Sequence, residues 1–304
     1  MPKCNVITLA PMMKLIKYAR TIALASVLTM IGAAQAQPVK VVATFTILAD
    51  LTRQVGGEMV DVSTLVGPDG DAHHFNPAPP DARRLAAADM VVVNGLGFEG
   101  WIDRLIASSG FRGTKVLATT GIKPRETGRS RDPHAWNSVP NARIYARNIS
   151  AALVAARPAQ SAFLEERLAT FDRRMVELDA LVRTEMNVVP AAQRKVITSH
   201  DSLGYFGAEY GVQFLPVSGL STAAEPGAAA LTRLIRQIKQ QDVRALFVEN
   251  ITDRRLIEQI ARDTGATVGG RLYTDALSAA GGSADTYENM IRHNTRLIAA
   301  ALRE

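Results

Sequence analysis

Short apolar or β-branched runs alternate with amphipathic stretches along most of this chain. Residues 40–45, 60–66, 90–94 and 115–119 are runs of the first kind. Between them, residues 47–55, 81–88 and 100–108 carry apolar positions three and four apart. Runs that are apolar on both faces, separated by helical segments, predict strands of a parallel sheet covered by helices. The same alternation resumes after Pro190. Strands are expected at 195–198, 212–217, 243–248 and 268–273, with helices at 203–210, 226–240, 253–263 and 287–302. Glu225 and Pro226 suit the start of the helix they precede, since acidic residues favour helix N-termini.

Residues 158–189 break the alternation. Leu164, Leu168, Phe171, Met175, Leu178 and Val182 recur at spacings of three and four with charges between them. This predicts one long amphipathic helix, with Pro158 in its first turn and Pro190 as its stop. The expected fold class is α/β: two pseudo-symmetric lobes with parallel sheets joined by one long rigid α-helix. The expected boundaries are 1–36 for a leader, 37–157 for the first lobe, 158–190 for the linking helix and 191–304 for the second lobe. Residues 124–132 (PRETGRSRD) read as a polar loop.

The leader changes the charge picture. Lys3, Lys14, Lys17 and Arg20 precede an apolar run at 21–34, and Ala34-Gln35-Ala36 is a small-x-small cleavage pattern. The run is short for a membrane span, so a cleaved secretory signal peptide and a periplasmic protein are expected. The formal net charge is +6. Four of the 35 Lys and Arg, and none of the 29 Asp and Glu, fall in the first 36 residues. The remainder is close to neutral, and no basic block points to nucleic acid. The only cysteine, Cys4, lies in the leader. The mature chain therefore has no disulfide and no thiolate ligand. The remaining methionines are scattered, which argues against a thioether site for Cu(I).

The candidate chemistry is carried by histidine. Four of the five histidines fall in three polar turns after expected strands: GDAHHF (70–75), DPHAW (132–136) and TSHD (198–201). Asp275 has the same context in LYTD (272–275). Ligands of open α/β sheets bind at the carboxyl ends of strands. Four such loops, two per lobe, can converge between the lobes. Three imidazoles and a carboxylate make a closed tetrahedral shell for zinc and also suit Mn(II) or Fe(II). In the first turn, either His73 or His74 can be the donor. His293 falls on the last helix and reads as structural. Trp136 reads as packing, placed to report on His134. Asp71 and Asp201 are candidate acceptors that hold ligand rings, or loop caps. A zinc hydrolase is disfavoured: there is no HExxH and no G-x-S-x-G motif, and Ser199-His200-Asp201 are too close in sequence to form a triad.

Four stretches carry a family likeness: GPDGDAHHFNPAPPD (67–81), DPHAWNSVPN (132–141), VITSHDSLGYFGAEYG (196–211) and RLYTDALS (271–278). SGLSTAAEPGAAAL (218–231) and LFVENITD (246–253) match in style. Throughout its mature length the chain resembles the zinc/manganese-binding class of ABC-transporter solute-binding proteins. The resemblance implies one metal ligand from each of the four stretches: His73, His134, His200 and Asp275. Ala72 stands where the family's first motif has proline. Manganese- and iron-type members often carry glutamate at the third position; Ser199-His200 is the pattern of zinc-type members and of some with mixed specificity. The long histidine-rich loop of many zinc-type members is replaced by the short 124–132 segment. The resemblance further implies a monomeric receptor, not an enzyme. It would bind one Zn2+ (alternatively Mn2+) and deliver it to an ABC-transporter membrane permease. Adhesion is a role assigned to some relatives, but no extra module or surface anchor for it is seen here.

Overall fold

The computed structural model describes residues 37–303 apart from 129, 223–226, 242 and 244. The expected leader, Cys4, Glu225 and Pro226 lie outside the described residues.

Two four-stranded parallel sheets organise the chain. The first holds β1 (Val39–Ala43), β2 (Val60–Thr64), β3 (Met90–Val93) and β4 (Thr114–Leu117), in the order β2-β1-β3-β4. After a two-stranded antiparallel ribbon of β5 (Glu126–Thr127) and β6 (Ser130–Arg131), the second sheet follows. It holds β7 (Lys195–Thr198), β8 (Gln213–Pro216), β9 (Ala245–Glu249) and β10 (Thr267–Leu272). Its order is β10-β9-β7-β8. Each sheet thus places its second strand outside its first and its third and fourth on the other side. The two lobes repeat one topology, as the α/β alternation predicts.

The central strands are buried on both faces. β3 is MVVV and β9 is ALFVE, every residue of each buried. A strand so enclosed must be apolar throughout, which is why these segments read as continuous runs. The exception is Glu249, which ends β9 inside the protein.

Helices α1 (Thr46–Gly56), α2 (Pro79–Ala86) and α3 (Ile102–Ser109) belong to the first lobe. Helices α4 (Val139–Ala156) and α5 (Ser161–Asn187) lie between the sheets in sequence. Helices α6 (Gly204–Tyr210), α7 (Ala228–Gln240), α8 (Arg254–Thr264) and α9 (Tyr287–Arg303) follow β7. The long helix α5 buries Leu164, Phe171, Met175, Leu178, Val182 and Met186. At 1.5 Å per residue its 27 residues span about 40 Å. Pro158 sits in a short 3-10 turn, Pro158–Gln160, just ahead of α5 and not inside it.

Two elements depart from the expected pattern. Helix α4 is absent from it. Ser138 caps this helix by accepting from Asn141 N, and Pro140 stands in its first turn. Its buried face is partly Ala142, Ala146 and Ser150, so contrast with the solvent face is weak. Residues 124–132 are also more than a loop. Glu126 pairs with Arg131 and Thr127 with Ser130, around a turn where Gly128 takes φ +62°. That left-handed conformation favours glycine.

One apolar cluster crosses both lobes. It includes Val41, Phe45, Trp136 and Tyr145 from the first half and Tyr205, Phe247, Leu272 and Tyr287 from the second. A smaller cluster around Ile197, Leu246, Ile257 and Ile260 fills the other face of the second sheet. Helix α9 ties back to the first lobe: Tyr287 N donates to Asp50 at 2.8 Å and its hydroxyl donates to Trp136 O at 2.8 Å. Among the described residues no helix is long and apolar enough to cross a membrane.

Candidate metal centre

All four sequence-derived donors meet. His73 lies in the loop after β2, His134 at the head of a short turn (Ala135–Asn137) after the β5–β6 ribbon, His200 after β7 and Asp275 after β10. One ligand atom from each falls within 4.8 Å of all the others. His73 Nε2 is 3.2 Å from His134 Nε2. Asp275 Oδ2 is 3.2 Å from His73 Nε2, 3.6 Å from His134 Nε2 and 3.1 Å from His200 Nε2. A tetrahedral ion with bonds of about 2.0–2.1 Å separates its donors by roughly 3.3 Å. The four distances just given are close to the edge length of such a shell. Asp275 Oδ1 is buried with no hydrogen-bond partner, which leaves a carboxylate oxygen free for a ligand. His74, by contrast, is exposed. Of the two histidines in the first turn, it is His73 that faces the cluster.

The surroundings are largely buried and aromatic. Phe98 meets the His73 ring edge-on at 4.6 Å, and Trp136 meets the His134 ring at 5.3 Å. Phe45, Phe98 and Trp136 pack on one another behind them. His134, His200 and Asp275 are fully buried. His73 lines an open cleft, shared with Leu96, Thr119, Leu220 and Ser221, and His200 lines a second pocket with Asp71, Val217 and Thr222.

Two carboxylates orient the rings, and neither is one of the expected pair. Asp132 Oδ1 accepts from both the backbone N–H and the Nδ1 of His134, at 2.9 Å each. A donating Nδ1 leaves the Nε2 lone pair aimed at the cluster. Glu249 Oε2 lies 2.6 Å from His200 Nδ1, and its Oε1 accepts from His200 N at 2.9 Å. Ser202 and Thr274 hydroxyls also donate to Oε2. The expected holders do other work. Asp71 caps its own loop by accepting from His73 N, and takes the Thr222 hydroxyl at 2.6 Å. Asp201 makes no side-chain hydrogen bond to either ring among the described residues. Asp132 lay within a quoted motif, two residues before its histidine. Glu249 lay in LFVENITD, where nothing local distinguishes it. His293 is structural, with Nε2 2.9 Å from Arg271 O.

The charges reinforce one another. Burial disfavours a protonated His134, yet the Asp275 charge and the Asp132 hydrogen bond outweigh it and raise its pKa. Burial likewise opposes protonation of His200, but Glu249 and Asp275 lift it well above the ordinary histidine range. Burial pushes Asp275 up, and the two rings overcome that and hold it well below the usual carboxylate range. The cluster is a preformed seat for positive charge.

Such a two-lobed α/β frame around a buried donor cluster is the architecture of a solute receptor. Residues 41–301 match the family described as zinc-uptake complex component A, periplasmic, and the chain belongs to that family. It is 30% identical over 284 residues to the manganese ABC transporter substrate-binding lipoprotein PsaA of Streptococcus mitis, covering 89% of this chain and 91% of that protein. It is 30% identical over 282 residues to the manganese-binding lipoprotein MntA of Bacillus subtilis, covering 90% and 92%. Among solved structures it resembles the periplasmic zinc-binding protein TroA of Treponema pallidum. There the TM-score is 0.84 with 27% identity, over 87% of this chain and 99% of that one. The Mn-bound periplasmic metal-binding protein from Candidatus Liberibacter asiaticus superposes with a TM-score of 0.79, at 28% identity, over 87% and 99%.

Proposed function

We propose that this chain is the periplasmic receptor of an ABC importer and captures one divalent transition-metal ion between its lobes. His73, His134 and His200 would each bind it through Nε2, and Asp275 through its carboxylate. The observation that carries the reading is the convergence of three imidazole nitrogens on one buried carboxylate oxygen at 3.1–3.6 Å. The ion is cargo, delivered to a membrane permease.

Two ions fit the donor set. Three imidazoles favour zinc, which is also the ion in the family description and in the name of the Treponema protein. The curated relatives favour manganese by name, and the Liberibacter protein is described with manganese bound. Manganese is the better supported of the two by kinship, against the zinc preference drawn from the third ligand. Zinc nonetheless outranks manganese in intrinsic affinity for nitrogen donors. In equilibrium competition zinc therefore binds tighter, even where supply makes manganese the cargo.

Equilibrium dialysis against Zn(II) and Mn(II) with elemental analysis tests the reading, alongside metal content of protein recovered from the periplasm. One equivalent per chain is expected. Stoichiometric tight binding by a His73/His134/His200 triple alanine variant would overturn the site.

A further inference from the structure

The β5–β6 ribbon occupies the stretch before the second motif, and its base is fastened across the lobe boundary. Arg125 N donates to the Tyr205 hydroxyl at 2.9 Å, and that hydroxyl donates to Asp132 O at 3.1 Å. Asp132 N in turn donates to Arg125 O at 2.8 Å. The Arg125 guanidinium pairs with Asp132 Oδ2. It lies directly over Gly204, the first residue of α6 in the second lobe. A β-carbon there would collide with the guanidinium carbon and both its terminal nitrogens. Gly204 has an ordinary backbone conformation, so the seat for Arg125 is what its missing side chain provides. Asp132 is fully buried, and its other oxygen holds the His134 ring.

We propose that Arg125 is a positioning residue for metal capture. Seated on Gly204 and paired with Asp132, it joins the second lobe to the orientation of His134 and so sets how tightly the ion is held. The proposal rests on the metal-capture reading above. The chain of contacts is Gly204, Arg125, Asp132, His134. Without the guanidinium, Oδ2 of a buried carboxylate loses its partner, and Asp132 no longer has one geometry to offer the ring. Outer partners of this kind set metal affinity by about 10–100-fold. A bare charge effect has the opposite sign: removing a cation near the site would tighten binding of another cation. The two accounts are separable.

The test uses three variants of the whole chain: Arg125→Met, Gly204→Ala and the double variant. Gly204→Ala acts from the opposite lobe. Arg125 is the movable partner, and alanine suits a helix better than glycine, so the fold is kept while the guanidinium is evicted. Zn(II) and Mn(II) affinities are measured by chelator competition, and release rates by stopped flow. Each single variant is expected to lose about 10–100-fold in affinity, mainly through faster release. The double variant is expected to be no worse than the singles, since both break one link. The visible spectrum of the Co(II)-loaded protein is expected to change in the same three variants. In the metal-free protein, the 15N signals of the His134 ring should lose the Nδ1–H form. Additive losses, unchanged His134 signals or tighter binding would each overturn the proposal. A wild-type chain that binds none of the three ions overturns the capture reading and with it this role, while the ring signals still show whether the clasp exists.

Discussion

Trp136 donates its indole N–H to the carbonyl of Thr274 at 2.6 Å, joining the residue two after one donor to the residue just before another. The same indole lies against the His134 ring. Trp136→Phe leaves the Thr274 carbonyl with only the 3.5 Å contact from Asn137. A buried acceptor left short of a partner costs about 1–3 kcal/mol. Urea denaturation should register a loss of that size. Most of the fluorescence change on adding Zn(II) should vanish with it, leaving the smaller response of Trp101, which bonds to Ala72 O beside His73. A full response in the variant would place the reporter elsewhere.

His200→Ala and Asp275→Ala should each weaken capture severely. Site energies of roughly 10–16 kcal/mol spread over four ligands come to about 3 kcal/mol each, or about 100-fold per ligand. Calorimetric titration reads this directly. His74→Ala, at an exposed neighbour, should leave the affinity within a factor of about two.

Glu249→Gln tests the carboxylate behind His200. Its Oε2 receives two hydroxyl donors and faces His200 Nδ1, so an amide NH2 on that side would point a donor at donors. Metal affinity should fall by about 10–100-fold. The metal-free protein should also lose about 1–3 kcal/mol. An unchanged affinity would remove Glu249 from the site.

Metal binding should strengthen with pH well above neutrality. In the metal-free fold His134 and His200 have raised pKa values, by the carboxylates around them. A raised histidine stabilises that fold fully below its unfolded value of about 6.5, and the benefit fades as pH climbs through the folded value. The ion needs the same rings neutral. Metal-free stability and metal affinity therefore move in opposite directions. The rise in Tm on adding Zn(II) or Mn(II) should be small in acid and should still be growing above the ordinary histidine value of about 6.5. A plateau by neutral pH would show that the rings titrate as free histidines.

The donors were legible because histidine is scarce in this chain and each one follows a strand. The central sheet strands, such as β3 and β9, were legible because enclosed parallel strands must be apolar. What the sequence concealed is what depends on tertiary neighbours. Asp132 and Glu249 are two carboxylates among many, and nothing local says that one sits behind His134 and the other behind His200. Asp71 and Asp201 lie beside their histidines within the motifs, but Asp71 serves its own loop and Thr222, and Asp201 bonds to neither ring among the described residues. Helix α4 hides because Ala142, Ala146 and Ser150 share its buried face. The β5–β6 ribbon has two residues per strand, too few for alternation to register.

The apolar cluster that runs unbroken from Phe45 to Tyr287 has a mechanical consequence. Swinging the lobes apart would uncover it, at about 2.5 kcal/mol for every 100 Å2 of apolar surface exposed. Thermal motion supplies little of that. If the chain captures an ion as proposed, that shared interior is expected to oppose opening of the lobes and to slow release of the ion.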